Sequence, residues 1–126
     1  MILAAVDDLM FASKIQATAG GVGATVTFAR TPGDILDKAA HLTPALIIFD
    51  LNSTRLQPIE TIGALKADPG LRRIRTLGFV SHVDTDTIRR AREAGIDEVL
   101  ARSAFSRNLA EILKGAETGH GATLSD

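Results

Sequence analysis

Short, continuously apolar runs, each followed by a helical pattern, constrain this chain more than any other feature. Residues 2–6 (Ile-Leu-Ala-Ala-Val) and 45–49 (Ala-Leu-Ile-Ile-Phe) contain no polar side chain. A strand that is apolar at every position has no face to give to water, so it must be covered on both sides. Such strands sit in the middle of a parallel sheet, with helices packed above and below.

The intervening segments supply those helices. The first is expected over about 9–19, with Phe11 and Ile15 on one face and Gly20-Gly21 as a left-handed stop. Residues 24–29 are β-branched and aromatic, a second strand. Thr31 then Pro32 give a cap followed by proline at the first helical position, and Ile35, Leu36, Ala39 and Ala40 form the apolar face of a second helix. A third helix covers roughly 58–67 and stops at Asp68-Pro69. A fourth strand follows at 76–80, and Asp84 caps a helix that ends at Gly95 with Ile88, Ala91 and Ala94 inward. A fifth strand at 98–100 and a fifth helix over about 106–114, burying Leu109, Ile112 and Leu113, complete the pattern.

Five strands each followed by a helix, with no hairpin signal between them, call for an α/β fold: a doubly wound, five-stranded parallel sheet with five helices on both faces. At 126 residues the chain is one domain by size. That domain is expected over 1–115, followed by a flexible, polar, Gly-containing tail over 116–126.

Composition removes several classes of function. There is no cysteine, hence no disulfide and no thiolate zinc site. Net charge is -1, with four basic and six acidic residues up to Gly63 and ten and nine beyond it, which is no stripe for nucleic acid. The apolar runs fall far short of the ~20 residues that span a bilayer, and the start lacks the basic region of a signal peptide, so the expectation is a cytoplasmic protein with no membrane partner.

Polar residues stand where the strands end. Asp7 and Asp8 follow the first run, Asp50 the third, Ser81 the fourth and Arg102 the fifth. In open α/β sheets the functional crevice lies beyond the carboxyl ends of the strands. If the first, third and fourth strands are neighbours, three carboxylates share one pocket. Two carboxylates about 4 Å apart repel by roughly 4 kcal/mol at an effective dielectric near 20, and a hard divalent cation such as Mg2+ removes that repulsion. One carboxylate oxygen is then free to act as nucleophile toward a phosphoryl group. The plainer role for Asp8 is a cap on the first helix.

At these residues the chain resembles the receiver domain of two-component response regulators, of the chemotaxis-regulator kind, over about residues 1–115. The matching stretches are AAVDD (4–8), LIIFDLN (46–52), KADPGLRRIR (66–75), FVS (79–81) and AGIDEVLAR (94–102). Asp7 to Asp50 is 43 residues, Asp50 to Ser81 is 31 and Ser81 to Arg102 is 21, close to the family's separations. The resemblance implies a flavodoxin-like sheet of order 2-1-3-4-5. It implies that Asp50 accepts a phosphoryl group from a histidine kinase or phosphotransfer protein, and that the protein is no enzyme in its own right. It further implies that Asp7, Asp8, Asp50 and the Asn52 backbone carbonyl hold Mg2+, that Ser81 is the switch hydroxyl, and that a downstream protein or a second copy docks on the face of the fourth helix, fifth strand and fifth helix.

Three departures qualify the resemblance. Arg102 stands in place of the family lysine, and a planar guanidinium fork is no substitute for a compact ammonium at a tight site. Asp50 is followed by Leu-Asn-Ser-Thr where receivers usually place Met-Pro after a two-residue gap, with Pro58 at a position where a loop glycine is expected. Val99 takes the place of the aromatic switch residue. The alternative is accordingly a pseudo-receiver, a phosphorylation-independent interaction domain in which Arg102 pairs permanently with Asp50.

Other patterns carry less. Gly20-Gly21-Val22-Gly23 follows a helix and precedes a strand, the reverse of a phosphate-binding loop. Asp50 to Thr54 is similar to the nucleophile motif of haloacid-dehalogenase-like phosphotransferases, but Asn52 stands where those need an acid. Flavodoxin-like flavin or nucleotide binding is opposed by two aspartates after the first strand. His82 is placed to line the pocket mouth; His41 and His120 have no partner at metal-ligand spacing. Arg89, Arg90 and Arg92 form either a solvated helix face or a surface for an acidic partner.

Overall fold

A computed structural model describes residues 1–81 and 84–117 of the chain. His82, His120 and the tail expected beyond 117 lie outside the described residues. In chain order the elements are β1 (Ile2–Ala5), α1 (Leu9–Val22), β2 (Val26–Ala29), α2 (Pro32–Leu42), β3 (Leu46–Asp50), α3 (Pro58–Ala67), β4 (Arg75–Val80), α4 (Thr85–Ala94), β5 (Glu98–Ala101), α5 (Arg102–Arg107) and α6 (Leu109–Glu117). The strands form one sheet in the order β2-β1-β3-β4-β5, with each neighbouring pair parallel. The apolar runs call for a doubly wound parallel sheet, and its order is the flavodoxin-like one that the resemblance implies.

Strand pleat divides the core in two. Ile2, Ala4, Leu46, Ile48, Leu77 and Phe79 point to one face, where α1 and α6 cover them. Leu3, Ala5, Ile47 and Phe49 point to the other, beneath residues of α2, α3 and α4. Because successive side chains alternate in direction, both faces need apolar residues, and β1 and β3 comply along nearly their whole length. In the middle of β4, Gly78 leaves room for α3-side packing: a Cβ there would lie 2.7 Å from Leu51 Cδ1 and 2.8 Å from Ile96 Cδ1.

Caps fall where the sequence places them. Thr31 Oγ1 accepts from Asp34 N, and Asp84 Oδ1 accepts from Asp86 N and Thr87 N. Gly95 ends α4 with φ at 107°, in the left-handed region open to glycine.

Three boundaries differ from expectation. Helix α1 does not stop at Gly20-Gly21 but continues to Val22, and the left-handed residue is Gly23 at φ 73°. The apolar face of Phe11, Ile15 and Ala19 is still burying surface there, with Val22 packed against the same core. That burial outweighs the roughly 1 kcal/mol that glycine costs in a helix interior. The single helix expected over 106–114 is two: α5 begins directly after β5, and α6 follows a break at Asn108, whose Nδ2 donates to Ala104 O at 2.9 Å. Helix α6 also runs beyond the expected domain end. Glu117 is not part of a frayed tail, since it accepts hydrogen bonds from Thr25 N and the Met1 amino group.

Candidate functional site

The sheet order brings the expected residues to one end. Asp7 and Asp8 follow β1, Asp50 is the last residue of the central strand β3, Ser81 follows β4, and Arg102 opens α5 directly after β5. No local pattern could achieve this; it depends on β1 and β4 flanking β3.

Asp50 is buried, at 8% exposure. Its Oδ1 accepts from Asn52 N at 3.0 Å. No fully buried side-chain nitrogen or oxygen among the described residues lacks a partner, so the second oxygen, which accepts no hydrogen bond, is not fully enclosed. Burial pushes the Asp50 carboxyl above its ordinary value near 3.8; the Asn52 N–H works against that, and the charge of Asp7 adds to it. Arg102 and Asp8 exert smaller, opposing influences.

The two aspartates after β1 do different work. Asp8 is the cap on α1 foreseen as its plainer role, with Oδ1 accepting from Met10 N at 3.0 Å and Phe11 N at 3.2 Å. Those bonds, the Phe11 amide first, together with Arg102, hold the Asp8 carboxyl below its ordinary value against the effect of burial. Asp7 instead faces the β3–α3 loop, where its Oδ2 accepts from Ser53 Oγ at 3.1 Å and lies 4.0 Å from Arg55 Nε. Asn52 contributes through its side chain as well as its backbone: Oδ1 accepts from Ser81 N at 2.6 Å and so ties the end of β4 to the loop after β3.

Arg102 does not pair with Asp50, contrary to the pseudo-receiver expectation. Its Nη2 lies 3.3 Å from Asp8 Oδ2 and its Nη1 donates to Ser81 Oγ at 3.2 Å. The reason lies beneath it. The guanidinium carbon sits 4.0 Å from the centroid of the Phe11 ring, and Phe11 is fixed in a cluster with Phe79 and Phe105 at centroid distances of 5.0 and 5.9 Å. A guanidinium resting on that ring by cation–π attraction points its fork toward the start of α1.

Phe11, Ser53 and Arg55 were missed as site residues. Phe11 reads in sequence as an ordinary core position, and the only hint for Ser53 and Arg55 is their place in the loop after a candidate nucleophile.

The donor chemistry suits a hard divalent cation, because Asp7 and Asp8 both act to raise the Asp50 carboxyl and a cation would relieve that repulsion. As held, the carboxylates are not gathered: among the described residues no three Asp, Glu, His or Cys side chains form a metal-ligand group. Both Asp8 oxygens are committed, one to the helix cap and one to Arg102. The ion therefore fits the residue types and requires Asp8 to change partner.

The basic patch on α4 is partly neutralised from within. Arg89 pairs with Glu93 at 2.8 Å and also with Asp86 on its own helix, which weakens the reading of this face as a surface for an acidic partner. Among the described residues no helix is long and apolar enough to cross a membrane.

Comparison with known proteins places these features. No family model matches the chain. In sequence it is 26% identical over 81 residues to the response regulator protein VraR of Staphylococcus saprophyticus, a match covering 64% of this chain and 38% of that protein. The chain thus spans well under half the length of that relative. Its structure is similar to that of the phosphorylated cyanobacterial phytochrome response regulator RcpA, with a TM-score of 0.71 and 23% identity over 99% of this chain and 97% of the other. It is similar also to the Mn2+-bound form of the response regulator Rcp1, with a TM-score of 0.70 and 20% identity over 93% of this chain and 91% of the other. The chain has the fold of response-regulator receiver domains and resembles those proteins in sequence.

Proposed function

We propose that this chain is a receiver-type signalling module in which Asp50 accepts a phosphoryl group from a phosphohistidine on a histidine kinase or phosphotransfer protein. The observation that carries this reading is the state of Asp50. It is a buried carboxylate at the carboxyl end of the central strand, with one oxygen fixed by Asn52 N–H and the other without a hydrogen-bond partner among the described residues. Fixing Oδ1 orients Oδ2 for in-line attack on phosphorus. A bond forms between Asp50 Oδ2 and phosphorus as the phosphorus–nitrogen bond of the donor breaks, and the imidazole keeps the electron pair and takes up a proton. Ser81 Oγ and the Arg102 guanidinium, 3.2 Å apart, would serve as hydrogen-bond donors for the incoming phosphoryl oxygens.

Asp7, Asp50 and the Asn52 carbonyl would hold Mg2+, with Asp8 joining them when Arg102 releases it. Bound there, the ion supplies positive charge against the phosphoryl oxygens. The phosphorylated and Mn2+-bound states named for RcpA and Rcp1 support this assignment by likeness of fold. The output is docking of another protein or a second copy on the face of α4, β5 and the helices α5 and α6 that stand in place of the single expected fifth helix, a two-state surface biased by the charge on Asp50. Such a module acts by binding rather than by turnover, within the cytoplasm.

A second reading is favoured by the pairing of Arg102 with Asp8 and Ser81, which occupies two of the groups a phosphorylated state would use. On that reading the chain docks its partners without phosphorylation. One experiment separates the two: incubate the protein with Mg2+ and a small acyl phosphate, then measure intact mass. The first reading predicts one phosphoryl adduct in the wild type and none in Asp50→Asn. A wild type without adduct, or an adduct that persists in Asp50→Asn, refutes Asp50 as acceptor.

A further inference from the structure

The Arg102 side chain is held at three points. It meets Asp8 Oδ2 at 3.3 Å and Ser81 Oγ at 3.2 Å, and it rests 4.0 Å over the Phe11 ring. The ring is 5% exposed and wedged against Phe79 and Phe105, so the shelf is rigid. Asp8 has only two oxygens to give. Oδ1 caps α1 through Met10 N and Phe11 N, which leaves Oδ2 as the oxygen available to a metal ion, and that is the oxygen Arg102 holds.

We infer that Arg102 is a built-in competitor for the divalent cation. Its latch sets a guanidinium charge on the Asp8 oxygen that a cation would use, and the two positive charges repel there, so this chain takes up a divalent ion weakly until the latch opens. The device depends on the shape of arginine. A guanidinium can stack flat on Phe11 while one nitrogen reaches Asp8 and another reaches Ser81, whereas an ammonium is a compact, strongly hydrated point charge without a fork. The inference rests on the receiver-type reading of the pocket for its metal, and not on phosphoryl transfer.

The test is a titration of Mn2+ into the full chain without any phosphodonor, with free ion read by electron paramagnetic resonance and folding checked by circular dichroism. Arg102→Lys keeps the positive charge and removes the fork and the stack; it should bind Mn2+ about tenfold more tightly than wild type. Phe11→Leu keeps Arg102 and removes the shelf, and should tighten binding several-fold. Tightening in Arg102→Gln alone, with Arg102→Lys unchanged, would mean that net charge sets the affinity and would overturn the latch. Absence of Mn2+ binding in every variant up to millimolar ion would overturn it as well. Phosphorylation of Asp50 is read separately, by mass, so the two failures are distinguishable.

Discussion

The two ends of the sheet treat their aspartates in opposite ways. At the carboxyl end Asp50 is buried with a single hydrogen bond from Asn52 N and feels the negative charge of Asp7, so its carboxyl is pushed above the ordinary value. At the amino end Asp97, just before β5, accepts from Thr76 N at 2.8 Å, Thr76 Oγ1 at 2.9 Å and Lys66 Nζ at 3.0 Å. Lys66 is fixed in turn by the carbonyls of Arg72 and Ile74. Burial acts to raise the Asp97 carboxyl, but those three donors outweigh it and leave it below the ordinary value. One end is a finished lock that joins α3, β4 and β5. The other holds a buried carboxylate short of positive partners.

Breaking the lock should have the largest effect. Asp97→Ala takes away the acceptor shared by Thr76 N, the buried Thr76 hydroxyl and Lys66 Nζ, and leaves the mostly buried Lys66 ammonium on two carbonyls; chemical denaturation should show a loss of about 2–3 kcal/mol. Asp97 is itself half-exposed, so the ion pair is screened and the lost hydrogen bonds dominate. Thr76→Val, nearly isosteric, removes one donor to Asp97 and the acceptor for Asp97 N, and should cost about 1 kcal/mol. Asp50→Asn should have the opposite sign, raising stability by up to roughly 1 kcal/mol as it removes a desolvated charge beside Asp7. A loss on Asp50→Asn as large as that of Asp97→Ala would dissolve the contrast between the two ends.

Acid should separate the ends by window. Asp97 has a lowered folded-state value, so the unfolded chain binds its proton first; its contribution is present above about 3.8 and is lost as pH falls through the lower folded value. Asp50 has a raised value, so the folded chain binds the proton first. Its ionised form weakens the fold at neutral pH, and that penalty fades as pH falls through a window lying above 3.8. On lowering the pH of a denaturation series, the stability advantage of Asp50→Asn should disappear first. The deficit of Asp97→Ala should shrink only in stronger acid.

Much of this contrast was open to a reader of the sequence at one end and hidden at the other. Strands β1 and β3 announce themselves because their runs are apolar up to the aspartates at their carboxyl ends, which stand out for that reason. Their convergence follows from the sheet order. What Arg102 touches was not legible: residues 8 and 102 meet only because β1, β3, β4 and β5 lie side by side and because Phe11 offers a ring at the right height. Asp97 and Lys66 gave no signal, since a charged residue at a strand start and another near a helix end read as solvated surface until β4 brings Thr76 between them. The end of α1 was misplaced because Gly20 and Gly21 face open space and a helix can run through them. Only Gly23 needs the left-handed backbone that a stop requires.

The most direct measurement follows the side-chain carboxyl carbons of Asp50 and Asp97 by 13C nuclear magnetic resonance in a single pH titration. Asp50 should titrate above the ordinary aspartate value and Asp97 below it. Equal midpoints, or Asp50 titrating below Asp97, would contradict the account of one sheet end left short of positive charge and the other locked by it.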